Sequence, residues 1–353
     1  MILLLLLAIG TGVQAQKMTI SGMVPGNGEV TLKAFVDSTM NYQPLARAKV
    51  TNGRYELKIV HEQPNLYLVA TEGGQSARLS VSAPRDVQVD FKGEKVEIKG
   101  SEESLSMSQF EALNGQLQDK HFGQLKQEAD AAMAAGDKEA LAKIQERSQV
   151  AISEFLVEFR AALVDMGETP AGYYALQFSD FNKELEFISQ RLVAFEKAIP
   201  ESPVTKALAQ QVYRAKVVAI GQKPPAIDAT DRNGEVVDLS AYKGKVVLID
   251  FWAAWCRACR IENPQFASLY ASYKDKGLEV LSISQDKDPA TWEKAIAKDG
   301  VAAFRHVQDA NGAISDLYSV SSLPQNVLLS KEGIIIAKNI NAEQLKAILE
   351  EGI

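Results

Sequence analysis

The stretch VVLIDFWAAWCRACRIENP, residues 246–264, decides how the C-terminal part of this chain is read. It opens on a near-continuous apolar run, VVLIDFWA (246–253), the pattern of a central strand buried on both faces. It then carries both cysteines of the chain, Cys256 and Cys259, three positions apart. A helix running from the cysteines to about Lys274 puts Cys256 at its N-terminus. There, unpaired backbone N–H groups and the positive end of the helix dipole favour thiolate over thiol. Cys259 falls on the same face one turn inward, the spacing from which a second thiol attacks a mixed disulfide and releases the product. Arg257 and Arg260 add positive charge, and both are expected to favour the thiolate further. Zinc is a poor alternative, because it takes four ligands and the chain has only three histidines, His61, His121 and His306. A structural disulfide closing so small a loop stabilises little. Thiol redox chemistry is therefore the reading of the pair, and it calls for no metal and no cofactor.

Outward from this stretch, residues 219–353 alternate strand and helix. LEVLSISQD (278–286) reads as a strand, PATWEKAIAKDG (289–300) as a helix and FRHVQD (304–309) as a short strand. NVLLS (326–330) and GIIIAKNI (333–340) are joined by Lys331-Glu332-Gly333, a hairpin signature. Asn341 and Gln344 form the two halves of a capping box opening a last helix.

This order and the WCRAC segment resemble the thioredoxin superfamily. The preamble GQKPPAIDATDRNGEVVDLSAYKGK (221–245) is similar to that of TlpA/ResA-type exported thiol-disulfide oxidoreductases. The resemblance implies a thioredoxin-like α/β domain, a central mixed sheet flanked by helices. It implies that Cys256 attacks and Cys259 resolves. Asp250 matches the buried acid of thioredoxins, which takes the proton of the resolving thiol, because burial raises a carboxyl pKa. Pro324, in SSLPQNVLLS, matches the superfamily's cis-proline, and Leu323 before it would pair with an extended substrate segment as an added strand. Trp255, Arg257 and Ala258 complete the surface implied to meet substrate. Glu262 matches a family glutamate and Pro264 the proline that kinks this helix. Gln325 departs from the usual threonine. With no third cysteine in the chain, an external donor must reset the pair. The resemblance implies a membrane thiol transporter of the CcdA/DsbD type.

Upstream the texture differs. Residues 16–100 read as a β-rich domain. MTISGMVPG, GEVTLKAFV, AKVTNGRYELKIV, NLYLVAT, ARLSVSA, VQVDFKG and KVEIKG are β-formers broken by Gly, Pro and Asn, which suggests a small β-sandwich or barrel. His61 beside Glu62 is expected at the surface or at a strand edge. Residues 101–218 read as a helical region, with apolar residues such as Ile152, Phe155, Leu156 and Phe159 at three- and four-residue steps. Ala135-Gly136-Asp137 is expected to separate two long helices, followed by shorter ones near 170–178, 183–198 and 203–218. The layout also resembles a TlpA-like architecture.

MILLLLLAIGTGVQAQ begins the chain, with an apolar run of signal-peptide length, and Val13 and Ala15 at the −3 and −1 positions of a cleavage site. Residues 1–15 are expected to be a signal peptide directing the protein to the periplasm or otherwise outside the cytoplasm, with no lipobox cysteine. No other stretch approaches the ~20 apolar residues a spanning helix needs. The net charge of −7 argues against a nucleic-acid or anionic-membrane surface.

The expectation is an exported enzyme that reduces protein disulfides. Thiol oxidation by the same residues is the first alternative. A partner-binding protein with an accessory thioredoxin domain is the second, with a homo-oligomer through the N-terminal half as its companion; the first 200 residues show no aromatic platform or metal cluster to support it. A peroxiredoxin shares the fold but expects Thr three residues before its reactive cysteine, where this chain has Ala253.

Overall fold

The computed structural model describes residues 16–320 and 322–352. The expected signal segment 1–15 lies outside the described residues. The chain divides into two compact units, one ending at Gln210 and one beginning at Gln211.

The first unit starts with eight strands: β1 (Gln16–Met23), β2 (Glu29–Phe35), β3 (Tyr42–Lys49), β4 (Arg54–His61), β5 (Asn65–Thr71), β6 (Ser76–Val81), β7 (Val87–Lys92) and β8 (Lys95–Lys99). They form two four-stranded sheets, ordered β4-β1-β7-β8 and β3-β2-β5-β6. Period-two alternation drives the packing. In β4, Tyr55, Leu57, Ile59 and His61 are buried while Arg54, Glu56, Lys58 and Val60 face out. These side chains join Val30 and Leu32 of β2, Val69 of β5 and Leu79 of β6 in one core shared by both sheets. The arrangement is thus a sandwich, one of the two architectures expected. Gly22 permits the approach of β1 to β7, since a Cβ there would lie 1.8 Å from the Val89 carbonyl oxygen. Strand β3 begins before the stretch read as strand, and it carries Pro44, which is tolerated because β3 is an edge strand. His61 is at the end of edge strand β4 but fully buried, against the surface reading, and its Nδ1 pairs with the Tyr67 hydroxyl at 2.9 Å.

Helices follow: α1 (Glu102–Ala135), α2 (Lys138–Asp165), α3 (Pro170–Leu176), α4 (Leu185–Ala198) and α5 (Pro203–Val217). The break between α1 and α2 is a Gly stop followed by an Asp start. Gly136 takes φ 68°, and Asp137 accepts the Ala140 N–H. Helices α1 and α2 and the residues just after α3 gather a ring cluster, with Phe110 and Phe159 buried at its centre. Phe155 stacks on Phe159 at 5.1 Å, and Phe110 lies 5.9 Å from Phe159 and 5.6 Å from Phe178. Phe155 and Phe159 belong to one helical stripe, but Phe110 and Phe178 are distant in sequence, so only the packing reveals that they join it.

The second unit contains β9 (Val246–Trp252), α6 (Arg257–Tyr273), β10 (Leu278–Ser284), α7 (Pro289–Asp299), β11 (Arg305–Gln308), α8 (Ala313–Leu317), β12 (Gln325–Leu329), β13 (Ile335–Lys338) and α9 (Ala342–Glu350). The sheet order is β11-β10-β9-β12-β13. Strands β9, β10 and β11 run parallel, and β12 is antiparallel to both β9 and β13. Every residue of β9 is buried, because both faces of the strand are covered. Val246, Leu248 and Trp252 pack with Cys256, Cys259 and Phe266 of the α6 segment, Ile296 of α7 and Leu345 of α9. Val247, Ile249 and Phe251 pack on the other face with Ile227, Val237, Ile314 and Tyr318. The capping box at Asn341 and Gln344 is present. Helix α8 has five residues, too few for a periodic pattern to announce it.

Candidate active site

Strand β9 ends at Trp252 and the chain turns through Ala253-Ala254-Trp255 into α6. Cys256 is the N-cap of that helix, so its sulfur faces the helix's open N–H groups; the Cys259 N–H donates to Cys256 Sγ at 3.2 Å. The two cysteines are joined in a disulfide. Closing so short a loop restricts the unfolded chain by roughly 2 kcal/mol, about what burying a single leucine contributes. With seven consecutive buried residues in β9 alone, the bridge is not what holds this fold. Cys256 is 6% exposed and Cys259 2%, while Trp255 beside them stands 68% exposed. Arg257 and Ala258 also face solvent.

Asp250 lies on β9 between Ser282 of β10 and Asn326 of β12. Alternation sends its side chain to the face that also carries Leu248 and Trp252, the face covered by α6 and the cysteines. Burial pushes its carboxyl up to about 8, and the Glu262 charge on α6 adds to the rise. Glu262 is itself raised by partial burial. The Leu323-Pro324 peptide bond is cis. Gln325 pairs with Phe251 in the β12–β9 register, so Pro324 sits level with Trp252, at the end of β9 that feeds the cysteines. Leu323 packs against the cluster containing both cysteines. The fold therefore gathers Cys256, Cys259, Trp255, Asp250, Leu323 and Pro324 at one end of the sheet. Pro264 lies inside α6. His306 lies apart, buried on β11 with Nε2 2.8 Å from the Val301 carbonyl oxygen, and burial lowers it to about 4.

One expectation is corrected. Arg260 does not offer a free charge to the thiol. Its Nε and Nη2 bind both oxygens of Asp299, the latter at 2.6 Å, and Nη1 donates to the Ala254 carbonyl at 3.1 Å. Asn263 Nδ2 donates to the same Asp299 carboxylate at 2.9 Å. From below, Asp286 accepts the Ala254 N–H at 2.7 Å and the Ser284 hydroxyl at 2.8 Å. The backbone of Ala254, two residues before Cys256, is thus held at both its N–H and its carbonyl. Asp286 and Asp299 leave no trace in the local pattern because they follow β10 and end α7, 27 and 40 residues past Cys259, with no local spacing to link them to it. Among the described residues no cluster of three or more His, Cys, Asp or Glu is arranged for a metal ion.

Residues 220–338 match the AhpC/TSA family. The thiol-disulfide oxidoreductase ResA of Bacillus thuringiensis subsp. konkukian is 36% identical over 132 residues, spanning 37% of this chain and 75% of the relative. ResA of Bacillus subtilis is 30% identical over 135 residues, spanning 37% of this chain and 75% of the relative. The thioredoxin domain of a thiol-disulfide oxidoreductase from Bacteroides vulgatus aligns at 34% identity with a TM-score of 0.36, over 38% of this chain and 96% of that chain. On the relatives matched over three quarters of their length, this chain belongs to the ResA-type thiol-disulfide oxidoreductases of the thioredoxin-like AhpC/TSA family.

Proposed function

We propose that this oxidoreductase works in the reducing direction on protein disulfides, with Cys256 as nucleophile and Cys259 as resolving thiol. The observation that carries the reading is the stacking of three groups along one line of the fold. Cys256 caps α6, Cys259 lies one turn inward, and buried Asp250 lies on the facing strand with its carboxyl pushed up to about 8. In the dithiol form the Cys256 thiolate attacks one sulfur of a substrate disulfide. The substrate S–S bond breaks, a mixed disulfide forms, and the departing substrate thiolate takes a proton from solvent. Asp250 then accepts the proton of Cys259, whose sulfur attacks Cys256 Sγ and expels the second substrate thiolate. Two electrons pass to the substrate, and the enzyme is left as the disulfide. A base buried with the resolving thiol and titrating near neutral pH suits that proton transfer.

Leu323 and Pro324 would seat an extended substrate segment, and Trp255, Arg257 and Ala258 would form its exposed rim. The catalytic part is proposed to be residues 219–353, and the β-rich and helical regions, 16–100 and 101–218, separate folding elements. The donor that restores the dithiol is proposed to be a membrane thiol transporter of the CcdA/DsbD type, met outside the cytoplasm. Among the described residues no helix is long and apolar enough to cross a membrane. Assembly as a homo-oligomer through the N-terminal half is supported by Val150, Val157 and Val164, exposed and seven residues apart on α2; light scattering on the full chain tests it.

The deciding experiment is the reduction potential of the Cys256–Cys259 pair in thiol buffers. A value on the order of −220 mV or lower supports a reductase, and one on the order of −150 mV or higher reverses the direction.

A further inference from the structure

The end of α7 poses a question that the helix itself does not answer. Asp299 is its last residue. A carboxylate is disfavoured there, at the negative end of the helix dipole, and its side chain is only 6% exposed. A buried anion in that position needs a partner, and the partner is Arg260, bound through two nitrogens. The same guanidinium reaches the Ala254 carbonyl at 3.1 Å. It is thereby held within two residues of Cys256, at the helix end where the thiolate forms.

We propose that Asp299 is a charge-masking residue for the cysteine pair: by holding Arg260 in a two-pronged ion pair, it keeps that cation from stabilising the Cys256 thiolate and so keeps the pair more reducing. The inference rests on Cys256 being the attacking sulfur of the proposed function.

The physical sequence is short. The disulfide form carries no charge, whereas the dithiol form carries a partial charge on Cys256. A bare guanidinium nearby stabilises only the second form, which makes the pair easier to reduce and a stronger oxidant. An Arg–Asp pair has no net charge, so its effect on the thiolate largely cancels. The other charged groups about the pair are Arg257 and Glu262 on α6, Asp250 on β9 and Asp286 beyond β10. Asp286 acts on Arg260 through space only: its carboxylate accepts the Ala254 N–H and the Ser284 hydroxyl, whereas Asp299 alone holds the guanidinium in a two-pronged pair. Asn263, which donates to Asp299, reinforces the mask rather than competing with Arg260.

Asp299→Asn removes the negative charge and keeps a side chain of the same shape. Full-length wild type, Asp299→Asn and the double variant Arg260→Gln/Asp299→Asn are equilibrated in glutathione buffers, and the dithiol fraction of each is measured. Asp299→Asn is expected to shift the equilibrium roughly tenfold toward the dithiol, about 30 mV for this two-electron couple, and to lower the pH at which Cys256 is alkylated. The double variant, lacking both charges, returns to within about threefold of wild type. A merely structural Asp299 would lower the melting temperature and leave the equilibrium where it was. An Asp299→Asn equilibrium within about threefold of wild type overturns the proposal. Where that variant does not fold, the double variant decides, since a tenfold shift toward the disulfide would mean that the Arg260 charge was never masked. Turnover of a protein disulfide by the wild type is scored separately and bears on the reaction's direction alone.

Discussion

Asp250 on β9 and Glu262 on α6 are electrostatically coupled across the strand–helix interface: the Glu262 charge adds to burial in holding the Asp250 carboxyl up at about 8. The relationship sets a sign for stability. Between the ordinary carboxylate range near 4 and about 8, the folded chain keeps a proton that the unfolded chain has released. Stability therefore falls as pH rises through that window, by at most about 1.4 kcal/mol per pH unit. Asp250→Asn removes the slope, so its stability advantage over wild type should widen from pH 5 to pH 8 in denaturant titrations. His306, lowered to about 4 by burial, has the opposite slope below its ordinary value, but it is common to both proteins and cancels. An advantage that stays constant across this range would show that Asp250 ionises normally in the fold.

Asp250→Asn should also slow resolution more than attack. Under the proposed sequence, Cys259 loses its preferred proton acceptor, a loss worth roughly 10²-fold. Rapid-quench trapping should then show the mixed disulfide on Cys256 accumulating during turnover. Unchanged accumulation would remove Asp250 from the proton path.

Cys256→Ser should abolish reduction of a disulfide substrate. Cys259→Ser should retain one attack and arrest as a covalent adduct, because the S–S bond to substrate then has no internal thiol to break it. Mass spectrometry of the intact protein distinguishes the two, and an adduct on Cys259 in Cys256→Ser would reverse the assigned roles.

Trp255 is large, apolar and 68% exposed beside a buried sulfur. Exposed aromatics at a contact surface commonly carry more than 1 kcal/mol of binding. Trp255→Ala should therefore raise KM for a protein disulfide about five- to tenfold with little effect on reduction by a small dithiol. Equal losses with both partners would assign the residue to the fold instead.

Phe159 is 3% exposed and meets the rings of both Phe110 and Phe155. Phe159→Ala should destabilise the first unit by about 3–5 kcal/mol, seen as an earlier unfolding transition. The thiol-exchange rate below that transition should not change, as expected when catalysis resides in residues 219–353. A parallel fall in exchange rate would tie the helical region to the chemistry.

Much of the second unit was legible locally. The apolar run of β9, the cysteines at a helix start, the hairpin at Gly333 and the capping box at Asn341 each depend on residues close in sequence, where periodicity and capping chemistry operate. The Gly136-Asp137 break was legible for the same reason, and so was the alternation in β4. Tertiary packing decided the rest. The burial of His61, the ring cluster around Phe159 and the passage of Pro44 through an edge strand arise from elements brought together by the fold. Arg260 shows the difference most plainly. Its position near Cys256 follows from the helix, but whether its charge reaches the sulfur depends on Asp299, 39 residues away. Local pattern determines where a charge sits along an element. Only long-range pairing determines whether that charge is free, because electrostatic compensation is a property of neighbours in space.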